Sequence, residues 1–112
     1  MRHDDAIRIR HMIEAAETTQ NFIAGRLRSD LDTDQMLSFA LARAIEIIGE
    51  AASKVSSETR SVTPVVPWVE IIAMRNRLIH AYFHVDNTVV WKTVTEEIPA
   101  LLSILLTILP DD

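Results

Sequence analysis

The chain has no cysteine and only two glycines and four prolines among its 112 residues. Without cysteine there is no disulfide framework, no thiolate metal site and no thiol nucleophile, and the cytosol is the expected compartment. So little glycine and proline, beside 48% apolar and 24% charged residues, excludes a linker or a disordered segment and points to a globular chain. No long hydrophobic run is present either. The most apolar tract, 98 to 109, is interrupted by Pro99 and falls short of the roughly 20 residues that span a bilayer, so it reads as a buried helix. The opening Met1-Arg2-His3-Asp4-Asp5 has no apolar core or small-residue cleavage site, so no signal peptide is expected. Positive charge is also in deficit: 11 Lys and Arg against 16 Asp and Glu, a formal net charge of −5. That balance excludes a surface that grips nucleic acid throughout by counterion release, while leaving room for a local basic site.

A chain of this length suits one domain, residues 1–112, with one core. A domain this small leaves much of its surface in water, so the high apolar content predicts extra surface that needs a partner, which a homodimer would cover.

Four helical segments follow from the spacing of apolar residues. The first, about 4 to 28, places Ile9, Met12, Ile13, Ala16 and Ile23 on one stripe. The second, capped by Thr33 or Asp32, carries Leu37, Leu41, Ala44, Ile45, Ile48, Ala52 and Val55 on one face, with Met36, Ala40, Ile47 and Ala51 on its flank. It is therefore expected to be central and covered on more than one side. Between Ser56 and Pro67 the pattern lapses into an expected loop. Pro67 suits the first turn of a third helix through Trp68, Ile71, Ile72, Met74, Leu78, Ile79 and Phe83, ending near Val85. A fourth, capped by Asp86 or Asn87, carries Trp91, Val94, Ile98, Leu101, Leu105 and Ile108, and Pro99 should kink or split it. No segment alternates with period two long enough for a strand, and no internal repeat is present. The expected fold is all-α, a compact up-and-down bundle of four to five helices.

Polar groups crowd one place. Arg75, Asn76, Arg77, His80, Tyr82 and His84 occupy about three turns of the third helix among large apolar residues. At about 100° per residue, Arg75 and Tyr82 share an azimuth, as do Asn76 and His80, whereas Arg75 and His80 diverge by about 140°. One regular helix does not bring that last pair together. An irregular helix end, or a second copy across a two-fold axis, would.

Composition alone favours a structural account, in which Arg75 and Arg77 pair with Glu46 or Glu50 of the second helix, His80 is a hydrogen-bonded core histidine and Tyr82 an interface tyrosine. Gly49 beside those carboxylates suggests close helix packing, and the pairing is favoured over an acid pair in catalysis. His80 and His84 have the four-residue spacing of paired zinc ligands, but no third ligand is evident and Ala81 stands where metalloprotease helices carry glutamate. Glu96 and Glu97 read as a solvated edge at a helix break, and His3 and His11 as surface residues.

The order Arg75, Asn76, three residues, His80, one residue, Tyr82 resembles the Arg-x4-6-His motif, with its His-x-Tyr extension, of the HEPN ribonucleases, specifically the HepT-like toxins of bacterial and archaeal toxin-antitoxin pairs. The stretch 43–52, the pair Pro67-Trp68, and Trp91 with Ile98-Pro99 carry the resemblance over nearly the whole chain. The resemblance implies Arg75 and His80 as the catalytic pair, Asn76 as the polar residue supporting them, and Tyr82 as the tyrosine to which a cognate MntA-like nucleotidyltransferase antitoxin transfers AMP. It also implies a homodimer whose motif helices line a shared cleft, and assigns Arg77 no role. The chemistry fits metal-independent cleavage of RNA with no cofactor: histidine titrates near neutrality and moves protons, and arginine offers a permanent fork of donors to phosphate. An AMP on Tyr82 would set bulk and negative charge beside Arg75. A catalytically silent module of the same fold, helping the nucleotidyltransferase to dock a nucleotide or substrate, is the other expectation.

Overall fold

A computed structural model describes residues 1–79 and 86–109. They form α1 (His3–Ile23), α2 (Asp30–Thr33), α3 (Gln35–Ser53), α4 (Ser57–Val62), α5 (Trp68–Ile79), α6 (Asn87–Lys92), a π-helical turn (Thr93–Glu97) and α7 (Ile98–Ile108). Among the described residues there is no strand, and the fold is all-α as the periodicity predicts.

Helix α3 is the centre. It packs against α1 along one side and α5 along another, while α2 and α6 meet it and α7 and the π-helical turn lie on α1. The expected stripes supply the core: Ile9 and Met12 of α1, Leu41, Ile45 and Ile48 of α3, Ile71 of α5, and Val90, Val94, Ile98 and Leu105 of the last segment are fully buried. Each such side chain contributes roughly 1.5–3 kcal/mol by leaving water, so the all-helical class follows from the stripes. Among the described residues no helix is long and apolar enough to cross a membrane.

Three features differ from what the apolar spacing predicts. The first helix stops at Ile23 instead of continuing to Arg28, because Gly25 adopts φ 74° just beyond the C-cap, the left-handed conformation that ends many helices. The cap of α3 is Asp34, which accepts from the Leu37 amide at 3.1 Å; Thr33 and Asp32 instead belong to α2, whose Leu31 is 2% exposed.

The expected loop between Ser56 and Pro67 contains α4. Ser56 caps it, accepting from the Thr59 amide at 3.3 Å, and the buried Asp5 carboxylate accepts from the Ser56 amide at 2.9 Å, the Ser56 hydroxyl at 2.6 Å and the Thr59 hydroxyl at 2.6 Å. These bonds reach across more than fifty positions, so local composition does not reveal them. Arg60 then donates to the carbonyls of Ala52 at 3.0 Å, Ser53 at 2.9 Å and Val55 at 3.0 Å, answering the open carbonyls at the end of α3. Its guanidinium stands 6.0 Å from the Trp68 ring centroid, and the indole donates to the Thr63 hydroxyl at 3.2 Å, which fixes where α5 begins.

The last segment is divided close to Pro99, as expected. The Thr93–Glu97 stretch widens into a π-helical turn that runs directly into α7, whose second residue is Pro99, so the missing amide bond and the proline ring fall where the helical ladder has already widened. The segment is divided by a wider helical turn, with no loop.

Candidate functional site

Helix α5 carries the first part of the polar motif, Arg75, Asn76 and Arg77, near its end. Ile71, Met74 and Leu78 are buried against the core, and Arg75, one turn after Ile71, lies half-buried beside them, whereas Asn76 and Arg77 are exposed. The reason Arg75 sits so deep is Gly49 of α3. A Cβ at position 49 would stand 2.7 Å from the Arg75 Cβ, 3.5 Å from its Cγ and 3.4 Å from the Ile71 carbonyl oxygen. Only a residue with no side chain lets the two helices come this close.

The Arg75 Nε is buried and has no hydrogen-bond partner among the described residues. Leaving a buried donor unpaired costs about 1–3 kcal/mol, more for a charged group, so the fold carries an arginine whose inner donor is unanswered. The expected pairing of Arg75 and Arg77 with the second helix is absent from the structure. Glu46 pairs with Arg43 at 3.1 Å and Glu50 with Lys54 at 3.8 Å, each along its own helix, and neither Arg75 nor Arg77 forms an ion pair among the described residues. The reason is local: Arg43 on α3 stands three positions from Glu46, and Lys54, the C-cap of α3, four positions from Glu50.

Arg77 points elsewhere. It lines a groove of about 270 Å³ between α5 and α7 with Pro67, Met74, Leu101 and Ile104, on the flank of α5 turned about 200° from Arg75. The structure thus separates the two arginines that lie two apart in sequence.

His80 and Tyr82 lie outside the described residues, as does His84 of the zinc-spaced pair. The expected facets shared by Arg75 with Tyr82 and by Asn76 with His80 therefore fall outside them too. Among the described residues no group of three or more His, Cys, Asp or Glu is placed to hold a metal ion. The chain that follows is firmly held. Asp86 caps α6 by accepting from the amides of Thr88 at 3.1 Å and Val89 at 3.2 Å. Asn87 accepts from the Ser38 hydroxyl at 2.5 Å and donates to the Leu31 carbonyl at 3.1 Å, and Arg28 donates to Thr88 at 3.0 Å and Asp32 at 2.9 Å. The Arg28 hydrogen bond holds the Asp32 carboxyl below its ordinary range, with help from Asn87. Asn87 is expected from the sequence only as an alternative cap; its three side-chain bonds, to Ser38, Leu31 and Asp32, reach α3 and α2, which no spacing rule reports.

A family model for HepT-like ribonucleases matches residues 12–108. Among curated relatives, a Thermococcus cleftensis protein named probable ribonuclease HepT is 44% identical over 88 residues, covering 79% of this chain and 80% of its own. A Caldanaerobacter subterraneus subsp. tengcongensis protein whose name gives it as a candidate RNase is 38% identical over 93 residues, 83% of each chain. A Methanocaldococcus jannaschii protein with the same kind of name is 36% identical over 90 residues, 80% of this chain and 83% of its own. No solved structure matches.

Proposed function

From the premise that this chain belongs to the HepT-like ribonuclease family and is itself a ribonuclease, we propose that it cuts RNA without a metal ion, using Arg75 and His80 in a cleft shared by two copies. The observation that carries the reading is the half-buried Arg75, with its Nε unanswered and no carboxylate neutralising it among the described residues. A cation left in that state is poised for an anion such as the phosphoryl oxygens of RNA.

In the proposed reaction the ribose 2′-hydroxyl attacks the adjacent phosphorus and the bond to the 5′-oxygen of the next nucleotide breaks, leaving a cyclic phosphate on one product and a hydroxyl on the other. His80 takes the 2′ proton, or returns one to the leaving oxygen, and in a dimer two copies of His80 divide these duties. Arg75 stabilises charge on the phosphoryl oxygens. Asn76, exposed at the following position, supports the substrate by hydrogen bonding. Since Arg75 and His80 diverge on a regular helix, the two-fold cleft supplies the convergence that one chain lacks.

The same reading makes the protein the toxin of a cytosolic toxin-antitoxin pair, silenced when an MntA-like nucleotidyltransferase transfers AMP from ATP to the Tyr82 hydroxyl with release of pyrophosphate. The added phosphate would compete for the Arg75 side chain. The test is RNA cleavage by the purified chain in EDTA, compared with His80→Ala and Arg75→Ala, followed by intact mass after incubation with the nucleotidyltransferase, ATP and Mg²⁺. Cleavage lost in both variants and a mass gain of whole AMP groups, abolished by Tyr82→Phe, are expected. RNA left intact by the wild-type chain would instead favour the silent docking module.

A further inference from the structure

We infer that Gly49 is a positioning residue for Arg75: its missing side chain sets the depth of α5 on α3 and so the place of the guanidinium. The inference rests on the reading of Arg75 as the phosphate-binding cation. The chain has two glycines, and they serve different ends. Gly25 has a positive φ and open space around it, so its use is conformational. Gly49 stands within α3 in ordinary helical backbone, where glycine is disfavoured against alanine by about five-fold in the folding equilibrium, so a packing reason must offset that disadvantage.

That reason is on α5. The atoms that a Cβ at position 49 would meet are the Arg75 Cβ at 2.7 Å and the Ile71 carbonyl oxygen at 3.4 Å, and neither moves by a change of rotamer. To reach an ordinary contact of roughly 3.5–4.0 Å, α5 itself would have to lift by about 1 Å. The lift acts at the motif arginine, whose Cβ and Cγ face the Gly49 position and whose Nε is buried further along the same side chain. A displacement of about 1 Å in a group that meets the reacting phosphate costs on the order of 100-fold in rate, while looser contacts to the rest of the RNA persist.

The test uses the full chain in two parts. In the first, Gly49→Ala is expected to lower Tm, although glycine to alanine within a helix ordinarily raises it; in an Arg75→Gly background, which removes the opposing Cβ, the same change is expected to raise Tm. A rise in both backgrounds overturns the contact, whatever the protein does to RNA. In the second, Gly49→Ala is expected to lower kcat for RNA cleavage on the order of 100-fold with little change in KM. Ala44→Gly, on the same helix but turned about 140° from Gly49, serves as a control for lost stability and is expected to keep its kcat. An equal loss in that control overturns the positioning role, and full activity in Arg75→Ala overturns the assignment of Arg75 on which it rests, while the melting comparison still reads the contact itself.

Discussion

The Ser38 hydroxyl donates to the Asn87 side-chain oxygen at 2.5 Å across 49 positions of sequence, tying the first turn of α3 to the first residue of α6. Because Asn87 also donates to the Leu31 carbonyl, it ties the start of α6 to α2 as well as to α3. Asn87→Ala is expected to lower stability by about 1–2 kcal/mol, since it leaves polar groups of the buried residues Ser38 and Leu31 unanswered on two helices. Urea unfolding of Asn87→Ala, Ser38→Ala and the double variant measures this. The two changes should be non-additive by at least about 0.5 kcal/mol, and strict additivity would show that the two side chains act independently.

Asp5 links α1 to α4. Burial pushes its carboxyl up, but the hydrogen bonds from Ser56 and Thr59, with Arg2 nearby, hold it on balance below its ordinary value of 3.8. A carboxyl with a depressed folded pKa adds stability above its unfolded pKa and loses it as pH falls through the folded value. Stability is therefore expected to decline below about pH 4, and Asp5→Asn should flatten that part of the profile. At neutral pH, Asp5→Ala is expected to cost on the order of 2–3 kcal/mol by stranding the Ser56 and Thr59 donors, read from chemical unfolding at several pH values.

Arg60 closes the end of α3. Its bonds to the Ala52, Ser53 and Val55 carbonyls and its approach to Trp68 predict that Arg60→Ala destabilises by about 1.5–3 kcal/mol. Arg60→Lys should recover only part of this, because an ammonium lacks the planar fork that spans three carbonyls. Thermal melts of the two variants distinguish the outcomes.

The two motif arginines should differ sharply in activity. Arg75→Ala is expected to reduce RNA cleavage on the order of 100- to 1,000-fold, as for loss of a donor to transition-state charge. Arg77→Ala, on the opposite flank of α5 beside the groove to α7, should cleave at close to the wild-type rate. Equal losses at both positions would mean that the arginines act through general positive charge, and strong salt dependence in both would confirm that outcome.

Much of the fold was legible because helical periodicity is a local signal. The buried stripes of α1, α3, α5 and the last segment stand where the apolar spacing put them, and the motif order Arg75, Asn76, His80, Tyr82 led to the family before any geometry. What escaped the spacing were features whose partners are distant: α4, held by Asp5, and Asn87, held by Ser38 and Leu31. The early end of α1 is a different case, since Gly25 was visible and marks a helix stop.

Local spacing and motif order were enough for the all-helical class and the HepT-like ribonuclease family, and they singled out Arg75 and His80 as the pair proposed to act on RNA. The packing of the helices adds that Arg75 has no carboxylate partner among the described residues, that Arg77 turns to another flank, and that Gly49 is the surface on which Arg75 rests. Periodicity states which face of a helix is buried, but not which atoms of another helix meet it. That is settled by how closely two backbones approach, and here one absent Cβ sets the distance.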